Sequence, residues 1–129
     1  MYSFGVKSLN LLNNPQLNPT LRLLMIEAIK DSPLDFTILE TVRTIERQRE
    51  LVKQGKSQTN KSRHIPSTNV SGYAEAVDIA PYPINWEDIN RFNKLADHIQ
   101  KKAKQLNIPI TWGGQWKSLV DRPHYELKR

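Results

Sequence analysis

Two stretches of the chain carry apolar residues at helical spacing. In the first, Leu21, Leu24, Met25, Ala28 and Ile29 line one face. Asn18-Pro19 ahead of them reads as a capping residue followed by proline at the first helical position, and Asp31-Ser32-Pro33 stops the run. In the second, Ile89, Phe92, Leu95, Ala96, Ile99, Ala103 and Leu106 form a stripe that predicts the longest helix. Asn85, followed by Glu87 and Asp88, is expected to open it, and Asn107 with Pro109 to close it. A shorter helix is predicted over 45–54, capped by Thr44 and ended by Gly55.

Strand signals lie between these helices. Phe36-Thr37-Ile38-Leu39 is short and rich in strand-formers, and 74–79 is a small-apolar run that predicts a buried strand. Two more strands are predicted over 108–112 and 123–127, joined by a loop containing Gly113-Gly114. Residues 55–73, rich in Gly, Ser, Thr, Asn and Pro, predict a loop. The order helix, strand, helix, strand, helix, strand, strand predicts an α+β fold with helices packed on a small, mainly antiparallel sheet. No repeat or linker breaks the 129 residues, so one domain over 1–129 is expected.

Composition narrows the chemistry. With 38% hydrophobic and 25% charged residues the chain reads as an ordinary globular protein rather than a disordered one. It has no cysteine, so disulfides and thiolate metal sites are excluded and any metal falls to His and carboxylates. The net charge of +6 is compatible with a polyanionic partner. Its basic residues are spread out except for Lys101, Lys102 and Lys104, which lie where a helix end would welcome them. A basic nucleic-acid-binding protein is the competing class. The chain offers it no zinc-finger pattern, no helix-turn-helix and no basic stripe with interleaved aromatics, so nucleic acid is not the expected partner.

Of three histidines, His98 sits in the long helix off its apolar stripe and is expected to be solvated. His64 and His124 lie at loop–strand edges beside carboxylates. Asp78 interrupts the apolar run Ala76-Val77-Asp78-Ile79-Ala80. A carboxylate buried there needs a partner: a metal, backbone amides and an arginine all qualify. Asp121 stands three residues before His124, close enough to reach a water at a metal without being a ligand. Two histidines and a carboxylate suit zinc and leave a fourth position open. Glu126 would share a strand face with His124 and compete as base, but its preferred role is an acceptor that orients an imidazole. Trp112 and Trp116 flank the glycine pair, and at least one is expected in the core.

Three motifs together are distinctive: Ser62-Arg63-His64, Ala74-x-Ala76-x-Asp78, and Asp121-x-Pro123-His124-Tyr125-Glu126-Leu127. They resemble those of the LAS-type zinc peptidases, the D-Ala-D-Ala carboxypeptidase and dipeptidase superfamily. Within that group the chain is most similar to phage endolysins of the L-alanyl-D-glutamate peptidase kind. The likeness extends through Phe4-Gly5, Ser8-Leu9, Asp35-Phe36, Glu40, Arg43-Thr44-x-Glu46-Arg47-Gln48 and Trp112-Gly113-Gly114-x-Trp116-Lys117.

The resemblance implies a hedgehog/DD-peptidase-like fold, a Zn2+ cofactor and His64, Asp78 and His124 as its ligands. It makes Asp121 the catalytic base and Arg43 the residue that holds substrate or its oxyanion, a task suited to a guanidinium fork. The alternative for Arg43 is an ion pair with Glu40 or Glu46. Ser62 is expected to hydrogen-bond near the site or to shape its loop. The implied substrate is bacterial peptidoglycan, cut by an endopeptidase at a stem-peptide bond; a D-alanyl-D-alanine-type carboxypeptidase and a non-catalytic zinc module are the alternatives.

The clearest departure from the family pattern follows the first histidine. The interval after His64 is stretched by seven residues, Ala74 stands for a glycine, Thr41 for another, and Gln115 for an aspartate. The stretch 65–73 is expected either to overhang the cleft, with Tyr73 or Asn69 touching substrate, or to be a mobile surface loop with no role. No apolar run approaches the roughly 20 residues of a membrane span, and residues 1–14 lack the features of a secretory signal. The expectation is therefore a monomer made in the host cytoplasm, reaching the wall through a membrane-permeabilising partner.

Overall fold

Asn18 opens the first long helix as its sequence predicts. Its side-chain oxygen accepts from the Thr20 amide at 2.9 Å, a cap worth about 1 kcal/mol. The computed structural model describes residues 1–57 and 62–128. Its helices are α1 (Val6–Leu12), α2 (Pro19–Lys30), α3 (Ile45–Lys53) and α4 (Ile89–Gln105). The strands are β1 (Phe36–Glu40), β2 (Ala76–Pro81), β3 (Ile110–Trp112) and β4 (His124–Leu127). They form one antiparallel sheet in the order β1-β2-β4-β3.

One face of the sheet is the core. Phe36 and Ile38 of β1, Val77 and Ile79 of β2 and Tyr125 of β4 pack with the apolar stripes of α2 and α4. Because side chains alternate along a strand, Asp78 between Val77 and Ile79 is turned to the opposite face. There the register sets it between Glu40 of β1 and His124 of β4. The α+β expectation holds, and the two stripes locate α2 and α4 correctly.

One helix was not anticipated, and three local expectations need correction. α1 is not signalled in the sequence, since Gly5 caps it without a side-chain bond; Ser8 fastens it to β1 through Thr37 Oγ1 at 3.0 Å and the Ile38 amide at 3.1 Å. α4 starts at Ile89, capped by Asp88, because the Asn85 side chain is spent closing a local turn on the Glu87 amide at 3.0 Å. β2 begins at Ala76; Ala74 instead makes a parallel bridge to Leu17. His98 is not a solvated residue: its side chain is 12% exposed and its Nε2 lies 2.8 Å from the Ala28 carbonyl and 3.4 Å from Asp31, tying α4 to α2.

The expected 55–73 loop carries a 3-10 turn at Pro66–Thr68; its positions 58–61 lie outside the described residues. Gly55 takes φ +75° just beyond α3, the left-handed exit expected of it.

Candidate metal centre

Three elements deliver three side chains to one point. His64 comes from the loop after α3, Asp78 from the centre of β2 and His124 from the start of β4. Their nearest ligand atoms all lie within 4.8 Å of one another. Asp78 Oδ1 is 3.1 Å from His64 Nε2 and 3.0 Å from His124 Nδ1. Both imidazoles are almost fully buried.

The other nitrogen of each ring is already committed. His64 Nδ1 faces the Thr41 carbonyl at 2.7 Å, and His124 Nε2 faces Glu126 Oε1 at 2.7 Å. A carbonyl and a carboxylate can only accept, so those nitrogens carry the protons. The remaining lone pairs of both rings then point at a carboxylate oxygen. Three acceptors converging on a buried point call for positive charge among them, either protons on the rings or a cation. The residues therefore fit a zinc ion, whose tetrahedral ligand atoms stand roughly 3.3 Å apart and whose histidines typically give their second N–H to a carboxylate or carbonyl.

Electrostatics follow the same geometry. Burial alone would raise the Asp78 pKa, but hydrogen bonds to His124 and His64 outweigh it and hold the carboxyl well below the usual range. Burial opposes a charge on His124; its bonds to Asp78 and Glu126 win and push it up to about 9. Asp121 moves the other way: burial, then the charge of Asp78, raise its pKa. Glu126 is lowered, its burial being offset first by His124 and then by the charge of that ring and of Arg63.

A cleft of about 360 Å³ opens on this cluster, lined by His64, Asp78, Asp121, His124, Arg43 and Trp116 among others. A larger cavity of about 530 Å³ lies between the end of α4 and β3, but its lining has no acid or histidine, so size does not locate the chemistry. Asp121 reaches the cleft because the chain folds tightly after β3. Gly113 accepts from the Asp121 amide at 3.0 Å, and a Cβ on Gly113 would sit 2.4 Å from the Asp121 carbonyl oxygen. Gly114 is equally constrained, since a Cβ there would meet the Trp112 indole at 2.2 Å. Trp112 is core, its indole N–H donating to the Arg122 carbonyl at 2.7 Å, whereas Trp116 packs on the His124 ring at 5.2 Å.

Arg43 also lines the cleft, held on several sides. It donates to both oxygens of Glu40, to Gln48 Oε1 at 2.8 Å and to Ser62 Oγ at 3.4 Å. The ion pair with Glu40 considered from the sequence is thus present, and it coexists with a place in the cleft wall. Ser62 also accepts from the His64 amide at 3.2 Å, so one hydroxyl joins Arg43 to the loop carrying His64. Tyr73 is exposed and is not among the residues lining that cleft. Asn69 is buried, with its Nδ2 directed at the carbonyls of Arg63 at 2.9 Å, Ile65 at 3.3 Å and Tyr73 at 2.8 Å. Its amide braces the loop from within instead of meeting a substrate. Sequence reasoning passed over Arg63 and Thr41 as contributors; adjacency to His64 was the one signal for Arg63, and Thr41 meets His64 only through the fold.

Two imidazoles and one carboxylate around a common point, with a raised-pKa acid in the same cleft, define the class as a candidate metallohydrolase. Comparison with known proteins is specific. The family described as phage L-alanyl-D-glutamate peptidase matches residues 1–128, and the chain belongs to that family. An L-alanyl-D-glutamate peptidase of Escherichia phage T5 is 30% identical over 119 residues, covering 88% of this chain and 81% of the T5 protein. One of Listeria phage A118 is 28% identical over 106 residues, covering 80% of this chain but 34% of the Listeria phage protein. The crystal structure of the Serratia marcescens L-Ala D-Glu endopeptidase ChiX superposes with a TM-score of 0.82 at 33% identity, over 97% of this chain and 89% of that one. The fold and the family likeness drawn from the motifs agree with these matches.

Proposed function

We propose that this chain is a zinc-dependent endolysin that hydrolyses the L-alanyl-D-glutamate bond of peptidoglycan stem peptides. The convergence of His64 Nε2, Asp78 Oδ1 and His124 Nδ1 carries the reading. These three residues would hold the zinc, which when bound supplies a Lewis acid for the scissile carbonyl and for water. Asp121, raised by burial and by Asp78, acts as the base: its carboxylate takes a proton from the attacking water and passes it to the departing amine nitrogen. Arg43, fixed by Glu40, Gln48 and Ser62, keeps its guanidinium at the cleft wall for substrate carboxylate or oxyanion. Glu126 holds the His124 ring.

The domain spans 1–129, acts as a monomer and is made in the infected cell. No helix among the described residues is long and apolar enough to cross a membrane. Access to the wall is therefore assigned to a separate membrane-permeabilising partner. Intact stem peptides and stems lacking their terminal D-alanine, digested separately, test the bond assignment. The endopeptidase cuts both and exposes the glutamate amine. Release of free D-alanine from intact stems alone would instead mark a carboxypeptidase.

A further inference from the structure

Arg63 is the residue before His64, and its guanidinium reaches the other two ligand-bearing segments. Nη2 donates to Glu75 Oε1 at 2.9 Å, three residues before Asp78, and to the Leu127 carbonyl at 2.6 Å. Nη1 donates to Glu126 Oε2 at 2.9 Å. Glu126 in turn receives His124 Nε2 on its other oxygen at 2.7 Å. The main chain repeats the tie, the Glu75 amide donating to the Arg63 carbonyl at 2.8 Å.

These ion pairs are shielded: Arg63, Glu75 and Glu126 side chains are 19%, 13% and 16% exposed. Arg63 Nε is buried with no partner among the described residues, a cost borne to keep the guanidinium in this position. A guanidinium offers five donors in a rigid planar fork, so its bonds to separate acceptors are fixed in direction, whereas an ammonium is a compact point charge with three rotatable donors.

We infer that Arg63 is a positioning residue for the metal centre, fixing the Glu126 carboxylate that selects and orients the His124 ring and locking together the segments that carry all three ligands. The inference rests on the zinc reading of His64, Asp78 and His124. Arg63 lines the cleft, but its donors go to Glu126, Glu75 and the Leu127 carbonyl rather than to the side chains of His64, Asp78 or His124; it acts through Glu126. Holding Glu126 Oε2 leaves Oε1 aimed at Nε2, so that His124 presents Nδ1 inward. Without Arg63 the carboxylate is free to rotate and the ring loses its fixed azimuth. Partners of this kind typically affect metal affinity by about tenfold to a hundredfold.

The test is zinc affinity, measured on purified protein by competition with a chromophoric chelator. Wild type, Arg63→Met, Arg63→Lys, Glu126→Gln and the double variant R63M/E126Q are compared, with metal-free melting recorded for each. Arg63→Met is expected to bind zinc about tenfold to a hundredfold more weakly, and Arg63→Lys to fall between it and wild type. The double variant should bind no more weakly than the worse single one, because both changes cut the same chain of contacts. Cobalt(II)-loaded Arg63→Met should show altered visible absorption from the reoriented imidazole. Wild-type zinc affinity in a folded Arg63→Met with a lowered melting point would reduce Arg63 to a structural brace and overturn the inference, as would strictly additive losses. Should Arg63→Met not fold, Arg63→Lys decides, and unchanged affinity there overturns it equally. Failure of the wild type to take up zinc needs no Arg63 variant to be seen, and sinks the metal reading itself.

Discussion

The carbonyl of Thr41 lies 2.7 Å from Nδ1 of His64 and thereby leaves Nε2 as the lone pair that faces Asp78. Thr41 is itself buried, and its hydroxyl donates to the Leu11 carbonyl at 2.8 Å. A backbone group orients this imidazole, so Thr41→Gly is expected to keep zinc while losing about 1 kcal/mol of stability from the missing hydroxyl bond. His64→Ala, Asp78→Ala and His124→Ala should each abolish stoichiometric zinc and the extra melting temperature that zinc confers. Metal analysis and paired melts with and without chelator check both; full zinc occupancy in His64→Ala would refute the ligand set.

Asp121 and Glu126 separate chemistry from positioning. Asp121→Asn is expected to retain zinc and lose roughly two to four orders of magnitude in turnover. Glu126→Gln should lower turnover less and act first on zinc affinity. Steady-state kinetics on zinc-loaded protein distinguish them, and the opposite ranking with zinc intact in both would reverse their roles.

Metal uptake should be coupled to protons. Without metal, His124 is raised from 6.5 to about 9, so below about pH 9 zinc must displace a proton from this ring. Apparent affinity is expected to rise with pH toward 9, with proton release visible in calorimetry across buffers of different ionisation enthalpy. The same shifts set metal-free stability. A raised His124 contributes most below about 6.5, and its contribution is lost as pH climbs through about 9. The lowered Asp78 contributes above its ordinary 3.8, and its contribution is lost as pH falls below that. Melts in chelator should therefore peak between those two ordinary values, and a maximum above pH 9 would contradict the assignment.

How legible all this was depended on where the determinants lie. The stripes of α2 and α4 and the caps Asn18 and Thr44 are local, and they placed their elements. The α1 segment has no capping side chain, and its hold on β1 runs through Ser8 and Thr37, 29 residues apart, which no local pattern reveals. Asn85 misled because a capping residue and a turn-closing residue make the same bond to an amide two residues on. That His64, Asp78 and His124 come together was legible because the motifs are distinctive; the register that sets Asp78 opposite His124 is a property of the folded sheet. Arg63 was not, because its partners Glu75, Glu126 and Leu127 are brought to it only by the folded sheet.

The loop 65–73 offers a test away from the metal. Ile65, Pro66, Ser67 and Gly72 line a groove of about 370 Å³ that shares Arg43 with the metal cleft. Removing seven residues, with Gly at Ala74, is expected to spare zinc and change KM more than kcat. Asn69→Ala, which strips bonds to three carbonyls, should cost roughly 1–3 kcal/mol of stability and leave kcat within about twofold, the residue being outside the chemistry. Kinetics and melts on both variants settle it; loss of zinc on shortening would show that the loop sets ligand geometry.

The central claim is that one zinc at His64, Asp78 and His124 makes this chain cut the alanyl-glutamate bond. Its most direct measurement is a zinc titration of metal-free protein acting on purified peptidoglycan, with newly exposed amino groups identified by residue at each step. The account predicts that glutamate amines appear in proportion to zinc, that the rise ends at one equivalent per chain, and that His124→Ala stays flat throughout. Glutamate amines appearing at full rate in the chelated protein, or a different amine appearing with zinc, would contradict it.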